Sequence, residues 1–199
     1  MDKHAHTDHP IHELLKKRWS PLAFADRPVP VDLLRRLLEA ARWAASSYNE
    51  QPWAFIVATK DKPDEFQKLL HCLVPGNRTW AHAAPVLMLT VAHHHFIKNH
   101  KPNRHAFHDV GLAMGNLSIQ ATAEGLYVHQ MAGIEVDKAR ADYGIPEDWE
   151  PVAGAAIGYL GDPNSLSEQL QAREKADRTR KPLRECVFGN SWGATSSLL

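Results

Sequence analysis

Apolar runs of strand length alternate along the chain with longer segments of helical periodicity, and the two patterns predict strands and helices in turn. The runs predicted as strands are AFIVA at 54–58, PVLMLTVA at 85–92, LYVHQM at 126–131 and VAGAAIGYL at 152–160. The segments predicted as helices are 11–17, 29–45, 61–73, 108–126 and 136–144. Because the strands are apolar on both faces, we expect helices to cover them on both sides.

The alternation of helix and strand predicts one layered α/β or α+β domain. We expect a flexible lead at residues 1–11 and a single domain from 12 to 199, with 44% hydrophobic residues in the chain to build its core. Beyond Gly161 the sequence becomes polar, and only LRECVF at 183–188 has the pattern of a strand. Such a polar tail needs a partner surface to order it.

Charge and cysteine content exclude several classes of protein. Lys plus Arg and Asp plus Glu both number 23, so no overall positive field is available to bind nucleic acid or an anionic membrane. No run is apolar enough to span a membrane, and no signal or transit peptide is visible. Cys72 and Cys186 lie far apart, which favours a reducing compartment, and we therefore expect a cytoplasmic protein.

Histidines are numerous, but they form no regular ligand frame. Among the 13 histidines, His105 and His108 lie three positions apart beside Asp109, a spacing that suits a transition metal or simply a solvated helix start. HELLK at 12–16 has Lys16 where a zinc-protease helix needs its second histidine. We therefore predict no metal site, and a histidine-rich metal-binding protein without catalysis stays an alternative.

Two basic segments, far apart in sequence, suggest a local anion site. RWSPLAF at 18–24 combines the forked donors of Arg18 with the hydroxyl of Ser20. RTRKPL at 178–183 adds Arg178 and Arg180. An ordinary helix end and a solvated charge run would also explain them. In a protein of zero net charge, however, two such segments fit a single phosphate group better than a polyanion.

The ordered set RWSPLAF, SSYNEQPW at 46–53, Gly76-Asn77, HQMAG at 129–133 and RTRKPL resembles the FMN-dependent nitroreductase family from about His12 to Trp192. SSxNxQPW is the most specific of these motifs. The resemblance implies an α+β fold, a three-layer α/β/α sandwich, in a homodimer that exchanges C-terminal segments. It also implies two FMN sites at the subunit interface, each built from both chains.

The resemblance implies roles for individual residues. Arg18, Ser20, Arg178 and Arg180 would hold the FMN phosphate and ribityl end, with backbone contacts from Trp19. Ser46, Ser47 and Asn49 would reach the partner's flavin, while Gln51, Pro52 and Trp53 lock the loop onto its strand. The remaining expected contacts are Asn77 at the polar edge of the ring, and Gln130, Met131, Ala132 and Gly133 over one ring face. Leu22 stands where many relatives carry Arg or Lys near flavin N1 and O2.

The implied function is hydride transfer from NADH or NADPH through FMN to nitroaromatic, quinone or similar electron-poor acceptors. Because the flavin carries the chemistry, we nominate no acid, base or nucleophile of the protein. The alternative with the same fold is a specialised flavoprotein, either a dehalogenase or an enzyme that consumes flavin.

Overall fold

The computed structural model describes residues 3–199, and within them a single four-stranded sheet forms the centre of the fold. Its strands are β1 (Trp53–Thr59), β2 (Val86–His93), β3 (Tyr127–Met131) and β4 (Trp149–Gly158). They are ordered β1-β2-β4-β3, and every neighbouring pair is antiparallel. Each strand contains most of a predicted apolar run, so the four predicted strands are confirmed.

The helices within residues 3–199 lie before, between and after these strands. They are α1 (Glu13–Lys17), α2 (Val31–Arg42), α3 (Pro63–Leu70), α4 (Pro75–Ala81), α5 (Ala106–Ala123), α6 (Val136–Tyr143) and α7 (Glu168–Lys175). Sequence periodicity predicted all of them except α4 and α7. Helix α4 begins with Pro75 and Gly76, and α7 is polar on almost every side, so neither has the apolar stripe that marks a helix in sequence.

The core is divided between the two faces of the sheet. On one face, Leu87 and Leu89 of β2 pack with residues of α3 and α4 such as Trp80. On the other, Val86 and Met88 pack with residues of α2 and α5. Because successive side chains of a strand point to opposite faces, the unbroken apolar run of β2 supplies both cores. The fold is therefore α+β, with an antiparallel sheet that both cores bury.

The tail departs from prediction. LRECVF does not form a strand: Leu183–Glu185 is a 3₁₀ turn, and Phe188 makes only an isolated bridge with Thr195. A strand needs a neighbouring strand to pair with, and within residues 3–199 this segment pairs with none of the four strands of the sheet. At the other end of the chain, the predicted flexibility of residues 1–11 stays a prediction. Within that segment the Ala5 amide donates to the Lys16 carbonyl at 3.0 Å.

Candidate cofactor site

A basic cleft brings together residues from both ends of the chain. Its lining includes Arg18, Ser20 and Leu22 from the segment after α1, and Arg178 and Arg180 from the segment after α7. The cleft has a volume of about 260 Å³, just below the roughly 300–1,000 Å³ usual for small-molecule sites. A cofactor of flavin size would therefore need a further wall, such as one from a second subunit.

The charge of the basic cleft is not balanced. Burial, and then the charges of Arg178 and Arg180, lower the pKa of Arg18. Burial and Arg180 likewise lower the pKa of Arg178. Within residues 3–199, none of the three guanidinium groups forms an ion pair with a carboxylate. Like charges held this close repel one another, so the cluster is best satisfied by an anion with several acceptor oxygens.

Arg178 also has a structural task. Its Nη1 donates to the carbonyl oxygens of Lys3 at 2.6 Å and Lys16 at 2.7 Å. Lys16 lies in the last turn of α1, where carbonyl groups have no partner inside the helix. Arg178 therefore fixes the C-terminal arm against α1, and this leaves Arg18 and Arg180 freer to meet a ligand. Within residues 3–199 the Arg18 side chain makes only a 3.5 Å contact with Ser20 Oγ, and Arg180 donates to the neighbouring Thr179 carbonyl.

The SSYNEQPW loop is held in a strained conformation. Tyr48, Asn49 and Gln51 have φ angles of 53°, 57° and 54°. These angles lie in the left-handed region, which residues other than glycine seldom adopt. Such strain costs on the order of 1–3 kcal/mol per residue and persists only where surrounding contacts impose it. Tyr48 is nevertheless 92% exposed, so its own chain does not bury the tip of the loop.

The contacts that impose this conformation come from the loop itself and from the segment around the start of α5. The buried carboxylate of Asp109 accepts from the Ser47 amide at 2.9 Å, and Glu50 accepts from the Ile97 amide at 2.6 Å. Ser46 Oγ accepts from the Gln51 amide at 3.0 Å.

Pro52 is buried and Trp53 begins β1, so the loop is anchored to the strand as predicted. The loop does not line the basic cleft of its own chain.

Asn77 and Gly133 lie together where β3 meets α4. The Asn77 side-chain amide donates to the Gly133 carbonyl at 2.9 Å. A Cβ atom at Gly133 would lie 2.7 Å from both Asn77 Nδ2 and Val74 Cγ2, so any larger residue would displace these side chains. Next to it, Gln130 and Ala132 are exposed, whereas Met131 is buried in the core. Met131 can therefore meet a ligand only through its backbone.

Residues 15–159, most of the chain, match the sequence model of the nitroreductase family. The chain belongs to this family.

Individual relatives agree with this membership. An uncharacterised 15.4 kDa protein of Mycolicibacterium smegmatis is 34% identical over 133 residues, which cover 67% of this chain and 88% of that protein. A Streptomyces coelicolor protein, provisionally named an NADH dehydrogenase/NAD(P)H nitroreductase, is 27% identical over 71% of this chain and 78% of its own. A solved structure described as an oxidoreductase containing FMN superposes with a TM-score of 0.90, at 35% identity and 96% coverage of both chains.

Sequence reasoning missed Glu174, which this nitroreductase-family chain buries at 2% exposure beside the basic cleft. Its carboxylate accepts from the backbone amides of Leu22 at 2.7 Å and Ala23 at 3.4 Å. Glu174 thus joins α7 to the RWSPLAF segment. Nothing in the polar sequence of α7 distinguishes it from the other charged residues there. Leu22, which lines the cleft, is itself only 4% exposed and packs in the core.

His129 was missed too, although it opens the HQMAG motif. It lines the basic cleft, its Nδ1 lies 2.8 Å from the Pro21 carbonyl oxygen, and its ring centroid lies 4.5 Å from that of Trp80. Burial lowers the pKa of His129 most, and the charge of Arg173 lowers it further, whereas hydrogen bonds to the Pro21 and Ser20 carbonyls act in the opposite direction. The ring is therefore neutral at pH 7.

The other histidines are engaged separately. His108 lies 3.1 Å from the Asp109 carboxylate, and the His105 ring is 6.5 Å away from that of His108. Across residues 3–199, no three or more His, Cys, Asp or Glu side chains are grouped to hold a metal ion.

Over the same range, no helix combines the length and apolar character needed to cross a bilayer.

Proposed function

We propose that this chain is an FMN-dependent oxidoreductase that passes a hydride from NADH or NADPH to an electron-poor acceptor. The observation that carries the proposal is the unbalanced positive charge of Arg18, Arg178 and Arg180, which suits the phosphate of FMN in charge and donor geometry. The similarity to an oxidoreductase containing FMN supports the same cofactor. Bound FMN would supply the hydride chemistry, and the protein its orientation and electrostatic surroundings.

The phosphate and ribityl end would lie in the basic cleft. Arg18 and Arg180 would donate to phosphate oxygens, while Arg178 adds charge and holds the arm in place. Ser20, which is exposed beside Arg18, would add a hydroxyl hydrogen bond. Trp19 is buried, so its side chain supports the cleft and only its backbone would meet the cofactor.

The flavin ring would lie at the junction of β3 and α4. Asn77 would face its polar edge, and the segment from Gln130 to Gly133 would cover one face. Ser46, Ser47 and Asn49 would reach the flavin of the partner subunit, because their loop does not line the cleft of its own chain and its tip is exposed. The strain in that loop supports a binding role, since strained backbone is costly to keep where it serves no purpose.

A homodimer would complete each site. The face of α5 that carries Phe107 and Leu112 is exposed, and added Cβ atoms at Gly111 and Gly115 would meet nothing within 4 Å. An apolar face with small residues permits the close approach of a second helix. We also propose the three-layer α/β/α sandwich, because each face of the sheet carries its own helix-packed core.

The exchanged segment would begin after Arg180. Glu174 and Arg178 are bound to their own chain, whereas Trp192 and Leu198 are 93% and 88% exposed and need an apolar surface to cover them. Deleting 181–199 should therefore reduce dimer stability and leave the arginine cluster in place. A longer deletion of 176–199 removes the cluster as well. A truncated chain lacking 181–199 that sediments as a dimer of undiminished stability would refute the exchange.

The acceptor would be a flat, electron-poor molecule such as a nitroaromatic or a quinone, because it must stack on the exposed ring face. We place the protein in the cytoplasm, where NADH and NADPH are supplied.

The test begins with the absorbance spectrum of the purified protein and mass identification of the cofactor released on denaturation. FMN should be present or taken up when supplied. NADH or NADPH should then bleach the flavin without oxygen, and a nitroaromatic or quinone should restore its colour. The double variant Arg18→Ala/Arg180→Ala should lose FMN, whereas Arg35→Ala, on the exposed side of α2, should not. A colourless protein that cannot be loaded with FMN would overturn the proposal.

A further inference from the structure

His129 occupies a position between the two parts of the cofactor site. It lines the same cleft as Arg18 and Leu22, and it immediately precedes Gln130 in β3. A flavin with its phosphate at the arginines and its ring beside Gly133 must pass this imidazole. Leu22, which lines the same cleft, has an apolar side chain that offers the ring no charge and no hydrogen bond.

The hydrogen bond to Pro21 determines which nitrogen of His129 carries the proton. A carbonyl oxygen only accepts, so His129 Nδ1 carries the proton that it donates at 2.8 Å. In the neutral ring Nε2 then has no hydrogen and can only accept. The contact with Trp80 fixes the plane of the ring. The imidazole is therefore held rigidly, with one nitrogen available to accept a hydrogen bond or a proton.

The charged groups around His129 come from helix α7 and from three segments outside the helices. Helix α7 supplies Arg173 and Glu174, and the Glu174 carboxylate is already engaged by the amides of Leu22 and Ala23. The remaining charged groups of the cleft are Lys3, Arg18, Asp177, Arg178 and Arg180. Cations predominate, so they favour the neutral imidazole until an anion enters the cleft.

We propose that His129 Nε2 faces the N1 and C2 carbonyl edge of bound FMN, takes up a proton when the flavin is reduced, and then donates a hydrogen bond to that edge. The inference rests on the proposed function. Hydride addition at N5 delivers two electrons and one proton, and it leaves a negative charge on N1 and the C2 carbonyl oxygen. A second proton then moves from solvent to Nε2, so that a neutral flavin beside neutral histidine becomes a flavin anion beside imidazolium.

His129 would thus carry a positive charge only when the flavin is reduced. That charge would replace the one that Arg or Lys would supply at the position of Leu22. An opposite charge within about 4–6 Å raises the pKa of a histidine by roughly 1–3 units, which is tenfold or more in proton affinity. Nitrogen-detected NMR of the holoprotein measures this directly. The pKa of His129 should be at least one unit higher in the reduced protein than in the oxidised one. Equal values in the two redox states would overturn the inference.

Potentiometry of variants gives an independent test. A tenfold change in proton activity shifts a two-electron couple by about 30 mV for each proton taken up. At pH values between the two His129 pKa values, the midpoint potential of the natural protein should therefore shift by about 59 mV per pH unit. The midpoint potential of His129→Asn should shift by about 30 mV per pH unit. Asparagine keeps a donor for the Pro21 carbonyl and removes Nε2. His71→Asn is the matched control, because Nδ1 of His71 also lies 2.8 Å from a carbonyl oxygen but on an exposed surface.

Failure of this inference is distinguishable from failure of the proposed function. A protein that does not bind FMN contradicts the proposed function. The protein could instead bind FMN and be reduced by NADH or NADPH, while His129→Asn leaves the slope of the midpoint potential against pH unchanged. That result would contradict only the role of His129. If His129→Asn does not fold, the NMR titration of the natural protein still decides.

Discussion

Replacing Arg18 with alanine should weaken FMN binding without weakening the flavin-free fold. In that fold, burial and the charges of Arg178 and Arg180 lower the pKa of Arg18. A base whose pKa is lower in the folded than in the unfolded state destabilises the fold wherever it is protonated, which includes neutral pH. Within residues 3–199 the Arg18 side chain donates only to Ser20 Oγ, at 3.5 Å, so its removal loses little and relieves repulsion.

The expected loss of affinity follows from the contact that Arg18 would make with phosphate. A hydrogen bond to a charged group contributes about 1.5–3 kcal/mol, so the dissociation constant for FMN should rise by roughly 10- to 150-fold at 1.4 kcal/mol per decade. Quenching of FMN fluorescence measures the constant, and thermal unfolding of the flavin-free protein measures stability. Added salt should weaken FMN binding to the natural protein more than to Arg18→Ala, which has one charge fewer.

Arg35→Ala serves as the control, because Arg35 pairs with Asp32 on an exposed helix face. It should leave FMN affinity unchanged. Unchanged affinity in Arg18→Ala would remove Arg18 from the phosphate site. A flavin-free Arg18→Ala protein that unfolds at a markedly lower temperature would show that the arginine cluster stabilises the fold, contrary to the electrostatic argument.

Three further predictions concern the groups that hold the site. Asp109→Ala should cost about 1.5–3 kcal/mol of unfolding free energy and lower FMN affinity, because the Ser47 amide loses a charged acceptor. Glu174→Ala leaves the buried amides of Leu22 and Ala23 unpaired and should cost about 2–5 kcal/mol in urea unfolding. Leu22→Arg should raise the flavin midpoint potential by roughly 20–65 mV and lower the melting temperature, because it puts charge into the core.

Conservative variants make these predictions specific. Asp109→Asn and Glu174→Gln keep an acceptor oxygen and should lose less stability than the alanine variants, while Leu22→Met should leave the potential unchanged. Equal losses for Glu174→Ala and Glu174→Gln would mean that charge, rather than acceptance by oxygen, is the contribution of Glu174. A potential that stays constant or falls in Leu22→Arg would mean that residue 22 does not face the N1 edge.

Much of the secondary structure could be predicted from local sequence. The four strands are apolar runs of the right length, and α2 and α3 carry apolar residues at helical spacing. These signals are local, because burial of one helix face or of both strand faces leaves a periodic trace in the sequence. The motif order from RWSPLAF to RTRKPL likewise sufficed to indicate the family.

The site itself was decided by tertiary structure. The carboxylate of Glu174 meets the amide of Leu22 across 152 positions, and α7 carries no pattern that sets Glu174 apart. The left-handed residues of the SSYNEQPW loop depend on Asp109, which is 62 positions from Ser47. The strand predicted for LRECVF is absent for the same reason, because strand formation depends on pairing with a distant segment, and within residues 3–199 LRECVF pairs with no strand of the sheet. Sequence alone therefore determined the local elements and the family, whereas the charge balance of the cleft and the roles of His129 and Glu174 arose only when the chain brought distant residues into contact.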